Sequence, residues 1–350
     1  MPRILVTASF PESQLARQLP GDAMQWLDYQ FVFTPESTAV DGWVVYDDLR
    51  QPVSQLCPRD NTLLITGEPS SVRRYRSRFT SQFGRVWTSH SSLQHAVRNL
   101  QNEGQPWHYG LFKSQTHGRS LCFDDLVALP RPSKTKQLSV ICSGKNVTPD
   151  HRQRQAFVRY LSAELGNEID VFGRDSRPVD DKADAIWNYK YHIVLENDHS
   201  AYYMTEKLTD AYLGWSYPLY AGGPEACLRF PSGSFTPIDI YQPEQSLSII
   251  RRVIASNTYE QSLIQLEEAR NAVLWKYNLF AMLAEYWDEF LGQQPAQLVQ
   301  LVPKRFRGTL IARQLLRYFS SQHPAIHLKP KLLKATQPHS TQTQSTPTHV

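Results

Sequence analysis

Residues 189–224 read YKYHIVLENDHSAYYMTEKLTDAYLGWSYPLYAGGP, and their pattern decides the fold. The apolar run from Tyr191 to Leu195 predicts a strand, which ends on Glu196 and Asn197. A polar turn of Asp198, His199 and Ser200 leads through Tyr202 and Tyr203 to Thr205, a residue suited to a helix start, with Glu206 and Lys207 in the first turn. The run Pro218 to Tyr220 predicts a second strand. A strand, a helix and a further strand form a parallel-sheet unit, whose ligands gather at the carboxyl ends of the strands. A helix N-terminus there offers unpaired N–H groups to phosphate, and Lys207 can meet the same anion. Glu206 can accept hydrogen bonds from two adjacent ribose hydroxyls. From spacing alone, Thr205 and Glu206 read first as a capped helix start with no ligand, and the tyrosines read equally well as core residues.

The alternation continues outward on both sides. Upstream, Ile4 to Val6, Gln30 to Phe33, Gly42 to Tyr46, Leu63 to Thr66 and Arg85 to Thr88 read as strands of a first α/β domain. The segment LPRPSKTKQ, residues 129–137, combines prolines with polar and basic residues and marks a boundary. After it come a strand at Leu138 to Cys142, a helix from about Asp150 to Leu165, and strands at Ile169 to Phe172 and Pro237 to Tyr241. The expectation is one α/β domain over 1–133 and a second over 138–300, the helical stretch from Pro243 to Leu291 packing on the latter. Residues 303–334 are basic and amphipathic, and 335–350 have nothing to bury and are expected to be disordered.

With 350 residues, 41% of them hydrophobic, the chain can bury a core in each of two units. Its formal charge of +4 is too small and too dispersed to argue for nucleic acid. Cys57, Cys122, Cys142 and Cys227 show no C-x-x-C spacing and read as reduced thiols. The start MPRILVTASF lacks the apolar core of a secretory signal, and no stretch approaches the ~20 apolar residues of a membrane span. The expected location is the cytoplasm, with peripheral attachment to the inner membrane face through 304–319 as a further reading.

Taken in order, these residues resemble glycosyltransferase family 10, the α-1,3/4-fucosyltransferases, in its bacterial form. In that family a strand ends in E-N, a short polar turn leads to Y-x-T-E-K, and a helix is followed by P-x-Y-x-G. Here Glu196-Asn197, then Tyr203-Met204-Thr205-Glu206-Lys207, then Pro218-Leu219-Tyr220-Ala221-Gly222 match it. A PxSF-like element stands at Pro231 to Phe235. Arg154 occupies the place of the family's diphosphate arginine, with Arg152 and Arg174 as neighbours in contention. The resemblance covers Val140 to Tyr241 closely and the remainder by order of elements. It implies a GT-B fold, two Rossmann-like domains facing a cleft, with a C-terminal helical segment. It further implies donor binding by Arg154, Asn197, Tyr203, Glu206 and Lys207, with Glu196, Arg174 and Thr205 as additional candidates.

The reaction implied is inverting transfer of L-fucose from GDP-fucose to a glycan hydroxyl in α-1,3 linkage, on GlcNAc or Glc of a cell-envelope or lipid-linked glycan such as lipopolysaccharide. One carboxylate must then deprotonate the acceptor while positive charge meets the departing diphosphate. The turn Thr66-Gly67-Glu68-Pro69 at the end of a first-domain strand resembles a T-G-E turn of bacterial members, which carries the general-base role to Glu68. Glu36, Asp47 and Asp48 are weaker rivals. No cofactor is expected, and no histidine or D-x-D spacing assigns metal ligands, although a divalent ion could stimulate turnover. His192 reads as a packed residue. Transfer of another sugar, or a non-catalytic membrane-surface role resting on Lys304, Arg305, Arg307, Arg313 and Arg317, are the alternatives.

Overall fold

Strands of a parallel sheet covered on both faces are apolar throughout, and β-branched and aromatic residues fill them here. The computed structural model describes residues 1–112, 119–144, 148–173 and 176–305. The first half runs β1 (Arg3–Ala8), α1 (Ser13–Ala16), β2 (Gln25–Trp26), β3 (Tyr29–Val32), β4 (Gly42–Tyr46), β5 (Val53–Cys57), β6 (Thr62–Ile65), α2 (Ser77–Thr80), β7 (Arg85–Thr88), β8 (Arg98–Leu100) and α3 (Phe123–Ala128). The second half runs β9 (Lys136–Ile141), α4 (Pro149–Leu165), β10 (Ile169–Phe172), α5 (Ala183–Ile186), β11 (Tyr189–Leu195), α6 (Glu206–Leu213), β12 (Tyr217–Ala221), α7 (Glu225–Arg229) and β13 (Thr236–Pro237). Helices α8 (Pro243–Ala255), α9 (Thr258–Gln261), α10 (Leu263–Trp275) and α11 (Leu279–Phe290) follow, and β14 (Gln297–Leu301) comes last.

The first sheet has seven strands in the order β2-β3-β1-β4-β6-β7-β8 and the second has five, β10-β9-β11-β12-β13. All pairings in both are parallel except the β2–β3 hairpin. Two parallel α/β halves opening onto a shared cleft make the GT-B arrangement, and residues Met1–Lys304 form one compact unit. The period-2 alternation of the first sheet separates its faces. Ile4, Val6, Val44, Leu63 and Trp87 belong to the main core, while Leu5, Trp43, Val45, Leu64 and Val86 form a second cluster with Phe79, Phe83, Val299 and Leu301.

Three expectations are corrected. The helical stretch after Pro243 does not stay with the second half: α11 returns to the first sheet, where Phe280 meets Phe31 edge-on at 4.8 Å. There Trp287 is fully buried, its indole close enough to Gly42 that a Cβ at that glycine would lie 3.3 Å from it. The apolar face of β1, β3 and β4 needs a cover that 1–133 does not supply. Strand β14 likewise pairs antiparallel with β5, setting Leu298 opposite Leu56, so 138–300 is not a self-contained unit. The strand expected over Pro237 to Tyr241 is only Thr236–Pro237. After Ile238 donates to the Tyr220 carbonyl, Asp239 accepts from the Tyr241 N–H at 2.8 Å and turns the chain into α8. Of the basic segment, Lys304 is only 13% exposed at its side chain and is paired with Asp47 and Asp48, so it is not on a membrane-facing surface. The remainder, 306–334, and the tail 335–350 lie outside the described residues, as does Arg174.

Candidate active site

The E-N element is a clamp at the carboxyl end of β11. Glu196 is fully buried, and its carboxylate accepts from the Thr205 N–H at 2.8 Å and from the Thr205 hydroxyl at 2.7 Å. Lys207 Nζ, 3.2 Å from Glu196 and 2.9 Å from the Thr205 hydroxyl, neutralises it. Thr205 is the N-cap of α6 and accepts from the Lys207 N–H. One buried acid therefore fixes the start of the helix, and the residues between are folded over the strand end. Gly222 and Gly223 make room for this: a Cβ at Gly222 would meet Glu196 Cγ at 2.9 Å, and one at Gly223 the Ser200 carbonyl at 2.3 Å. Arg154, buried on α4, donates to the Leu195 carbonyl at 3.0 Å and to Asn197 Oδ1 at 3.3 Å, while its Nε is buried without a partner.

The next carboxylate along α6 is held from two sides. Lys182 Nζ lies 3.1 Å from Glu206 Oε1 and 2.7 Å from Asp210 Oδ2, and His108 Nδ1, from the first half, lies 3.5 Å from Glu206. Burial by itself raises the Glu206 carboxyl, but Lys182, Lys207 and His108 hold it well below the usual range, so it is ionised at neutral pH. Asp210 turns its other oxygen to the His108 and Tyr109 N–H groups, both at 2.9 Å. Further ties between the halves are Ser71 to Asp198 at 2.6 Å and Asn102 to the Tyr202 and Met204 carbonyls at 3.1 and 2.8 Å.

Across from this cluster the Thr66-Gly67-Glu68 turn leaves β6. The Glu68 carbonyl accepts from His90 Nε2 at 2.6 Å, and the Gly67 N–H donates to the Tyr75 hydroxyl at 3.1 Å. Beneath it Thr66 donates to buried Glu103 at 2.5 Å. Between the halves lies a cavity of about 560 Å³, lined by Glu68 and Asp47 on one side and by Arg154, Asn197, Tyr203, Thr205, Glu206 and Lys207 on the other. The Glu68 carboxylate has no hydrogen-bond or ion-pair partner among the described residues.

The structure thus brings together Glu68, Arg154, Asn197, Tyr203, Thr205, Glu206 and Lys207, and keeps Glu196 behind them as a buried anchor without a place on the cavity wall. The rival acids are otherwise engaged. Asp47 carries Arg73, Tyr75 and Lys304, Asp48 accepts from the Lys304 N–H at 3.0 Å, and Glu36 is bonded to Arg3 at 2.5 Å. Arg152 is exposed and does not line the cavity, and His192 is a core residue, 2.8 Å from the Ser139 hydroxyl. Sequence reasoning missed Lys182, His108, Asp210 and Glu103. No spacing marks them, because their partners lie far away in the chain. Among the described residues no group of three or more His, Cys, Asp or Glu side chains is placed to hold a metal ion, and no helix is long and apolar enough to cross a membrane.

Comparison with known proteins places this geometry. Residues 131–261 match the model of glycosyltransferase family 10 (fucosyltransferase), C-terminal part. α-(1,3)-Fucosyltransferase 4 of Mus musculus is 27% identical over 147 residues, which is 40% of this chain and 32% of that protein, so the match spans about a third of the relative's length. A solved α1,3-fucosyltransferase with GDP superposes with a TM-score of 0.52 at 17% identity, covering 84% of this chain and 92% of that one. Another α1,3-fucosyltransferase structure gives 0.51 at 16% identity over 84% and 91%. The two structures share the fold, and the family match falls on the half that carries the E-N clamp, α4 and α6: over residues 131–261 the chain is similar to the C-terminal part of glycosyltransferase family 10.

Proposed function

We propose that the chain transfers L-fucose from GDP-fucose to a hydroxyl of a glycan acceptor, inverting the sugar carbon, in α-1,3 linkage to GlcNAc or Glc. The observation that carries this reading is the facing of an unpartnered carboxylate, Glu68, and a wall carrying Arg154, Lys207 and Glu206 across one cavity. Glu206 accepts the ribose hydroxyls, Arg154 and Lys207 meet the diphosphate, and Asn197 and Tyr203 flank the sugar. The presence of GDP in a related solved structure supports a guanine nucleotide here. Glu68 takes the proton of the acceptor hydroxyl as its oxygen bonds to the fucose C1. The bond from C1 to the diphosphate breaks in the same displacement, and its electron pair leaves on GDP, stabilised by Arg154 and Lys207. The acceptor side is the half built on 1–133, completed by α11 and β14, and the donor side is the sheet of β9 to β13. A cell-envelope or lipid-linked glycan, reached from the cytoplasmic face of a membrane, is the acceptor we assign.

Calorimetric titration with GDP-fucose, and with GDP-mannose and UDP-galactose as controls, tests the donor; selective GDP-fucose binding is expected. Glu68→Gln is expected to keep that affinity and to lower GDP release from GDP-fucose by about 10²-fold or more. Unchanged turnover in the variant removes the base, and failure of all guanine nucleotides to bind removes the donor.

A further inference from the structure

Lys304 belongs to no element of either sheet, yet its side chain is largely enclosed at the rim of the cleft. The chain reaches that place by being stitched down. Val302 exchanges two hydrogen bonds with the Gln82 amide at 2.9 and 3.2 Å, and the Lys304 N–H donates to Asp48 at 3.0 Å. The Lys304 ammonium then lies 3.2 Å from Asp47 Oδ1 and 4.1 Å from the centre of the Tyr75 ring. Asp47 has a left-handed backbone, φ +66°, which no glycine relieves, and a buried carboxylate that also holds Arg73 and the Tyr75 hydroxyl. The same Tyr75 hydroxyl accepts from the Gly67 N–H, the residue before Glu68.

We propose that Lys304 is a positioning residue for Glu68, acting through Asp47 and Tyr75 on the backbone of the Thr66-Gly67-Glu68 turn. The inference rests on the reading of Glu68 as the base. Three contacts lead from the ammonium to the turn: ammonium to carboxylate, carboxylate to phenol, phenol to Gly67 N–H. Each is polar, and two converge on a carboxylate that is largely buried, where an unpaired partner is costly. Without Lys304, Asp47 keeps, among the described residues, only Arg73 as a cation, and Arg73 sits at a side chain 38% exposed, where its pull is weaker. Asp47 and Tyr75 then have freedom to shift, and Gly67 loses a fixed acceptor.

The test uses the full chain with Lys304→Met and Lys304→Arg. Hydrogen exchange is followed in peptides covering 64–70 and 196–207, and GDP release from GDP-fucose is measured alongside. For Lys304→Met we expect faster exchange at the Gly67 amide with 196–207 unchanged. We also expect turnover lowered about 10- to 100-fold, as for a misplaced catalytic group, with the donor KM within about twofold. Lys304→Arg should restore both. Unchanged exchange at 64–70 in Lys304→Met overturns the proposal, and so does a loosening that spreads equally to 196–207, which makes Lys304 a general staple. If Glu68→Gln retains turnover while Lys304→Met still loosens 64–70 alone, the base assignment falls and the contact chain stands.

Discussion

Glu103 is a carboxylate sealed under the Thr66-Gly67-Glu68 turn, 2% exposed, accepting from the Thr66 hydroxyl and the Ser89 N–H. Burial outweighs those hydrogen bonds and pushes its carboxyl up to about 7 from the ordinary 4.5. A raised folded value means that the folded state binds the proton more tightly than the unfolded chain does. The stabilisation is then complete below about pH 4.5 and is lost as pH rises through about 7, a loss of about 3 kcal/mol. Glu103→Gln keeps the shape and an acceptor oxygen and removes the titration. Urea unfolding from about pH 5 to about pH 8 should show the variant gaining on the parent by up to about that amount; a constant difference would mean Glu103 does not titrate there. Single residues were legible in the sequence where chemistry is packed into contiguous letters, as in Glu196-Asn197, Thr205-Glu206-Lys207 and the turn at Glu68. Lys182 and His108 carried no signal, and Lys304 was read with a basic, membrane-facing segment, since the acids they meet are between 24 and 257 positions away.

At the scale of elements, α6 is the part whose placement matters most, and Lys182 grips it one turn apart, at Glu206 and Asp210. Removing that ammonium in Lys182→Met takes away the largest influence opposing the upward push of burial on the Glu206 carboxyl. Lys207 remains as a cation facing it and His108 as a polar neighbour, while Asp210 loses its ammonium partner and keeps only the His108 and Tyr109 N–H donors. The Glu206 carboxyl then rises. GDP-fucose affinity should acquire a pH dependence absent from the parent, weakening as pH falls, and Lys182→Arg should restore the flat profile. Affinity profiles of parent and Lys182→Met that coincide across pH would show that Lys182 only packs. Most strands were legible because fully apolar five-residue runs such as β4 have few other fates. Pro237 to Tyr241 misled because its apolar residues belong to the approach to α8, where Asp239 closes a turn.

At the scale of the molecule, the first sheet is finished by residues from the far end of the chain. Trp287, fully buried on α11 against Ile4 and Gly42, is the clearest of these, and Trp287→Ala should lower stability by about 3–5 kcal/mol in chemical unfolding. The loss should be seen in probes of the first sheet; a loss confined to the second would contradict the docking of α11. The helical reading of Pro243 to Leu291 took in α11 but not its destination, because an apolar helix face carries no address: the cover missing from 1–133 is visible only once both faces of β1 and β4 are known to be buried.

That arrangement sets a timetable for the protein's birth. On the ribosome β1 to β8 emerge first, but α11 and β14 follow only about 200 residues after Leu100, a delay of roughly 10–40 s at ordinary synthesis rates. The second half, whose sheet and α4 lie close together in the chain, can close in the interval. The nascent first sheet meanwhile waits with one apolar face open to chaperones, and the half that enters the cell earliest is the last to become native.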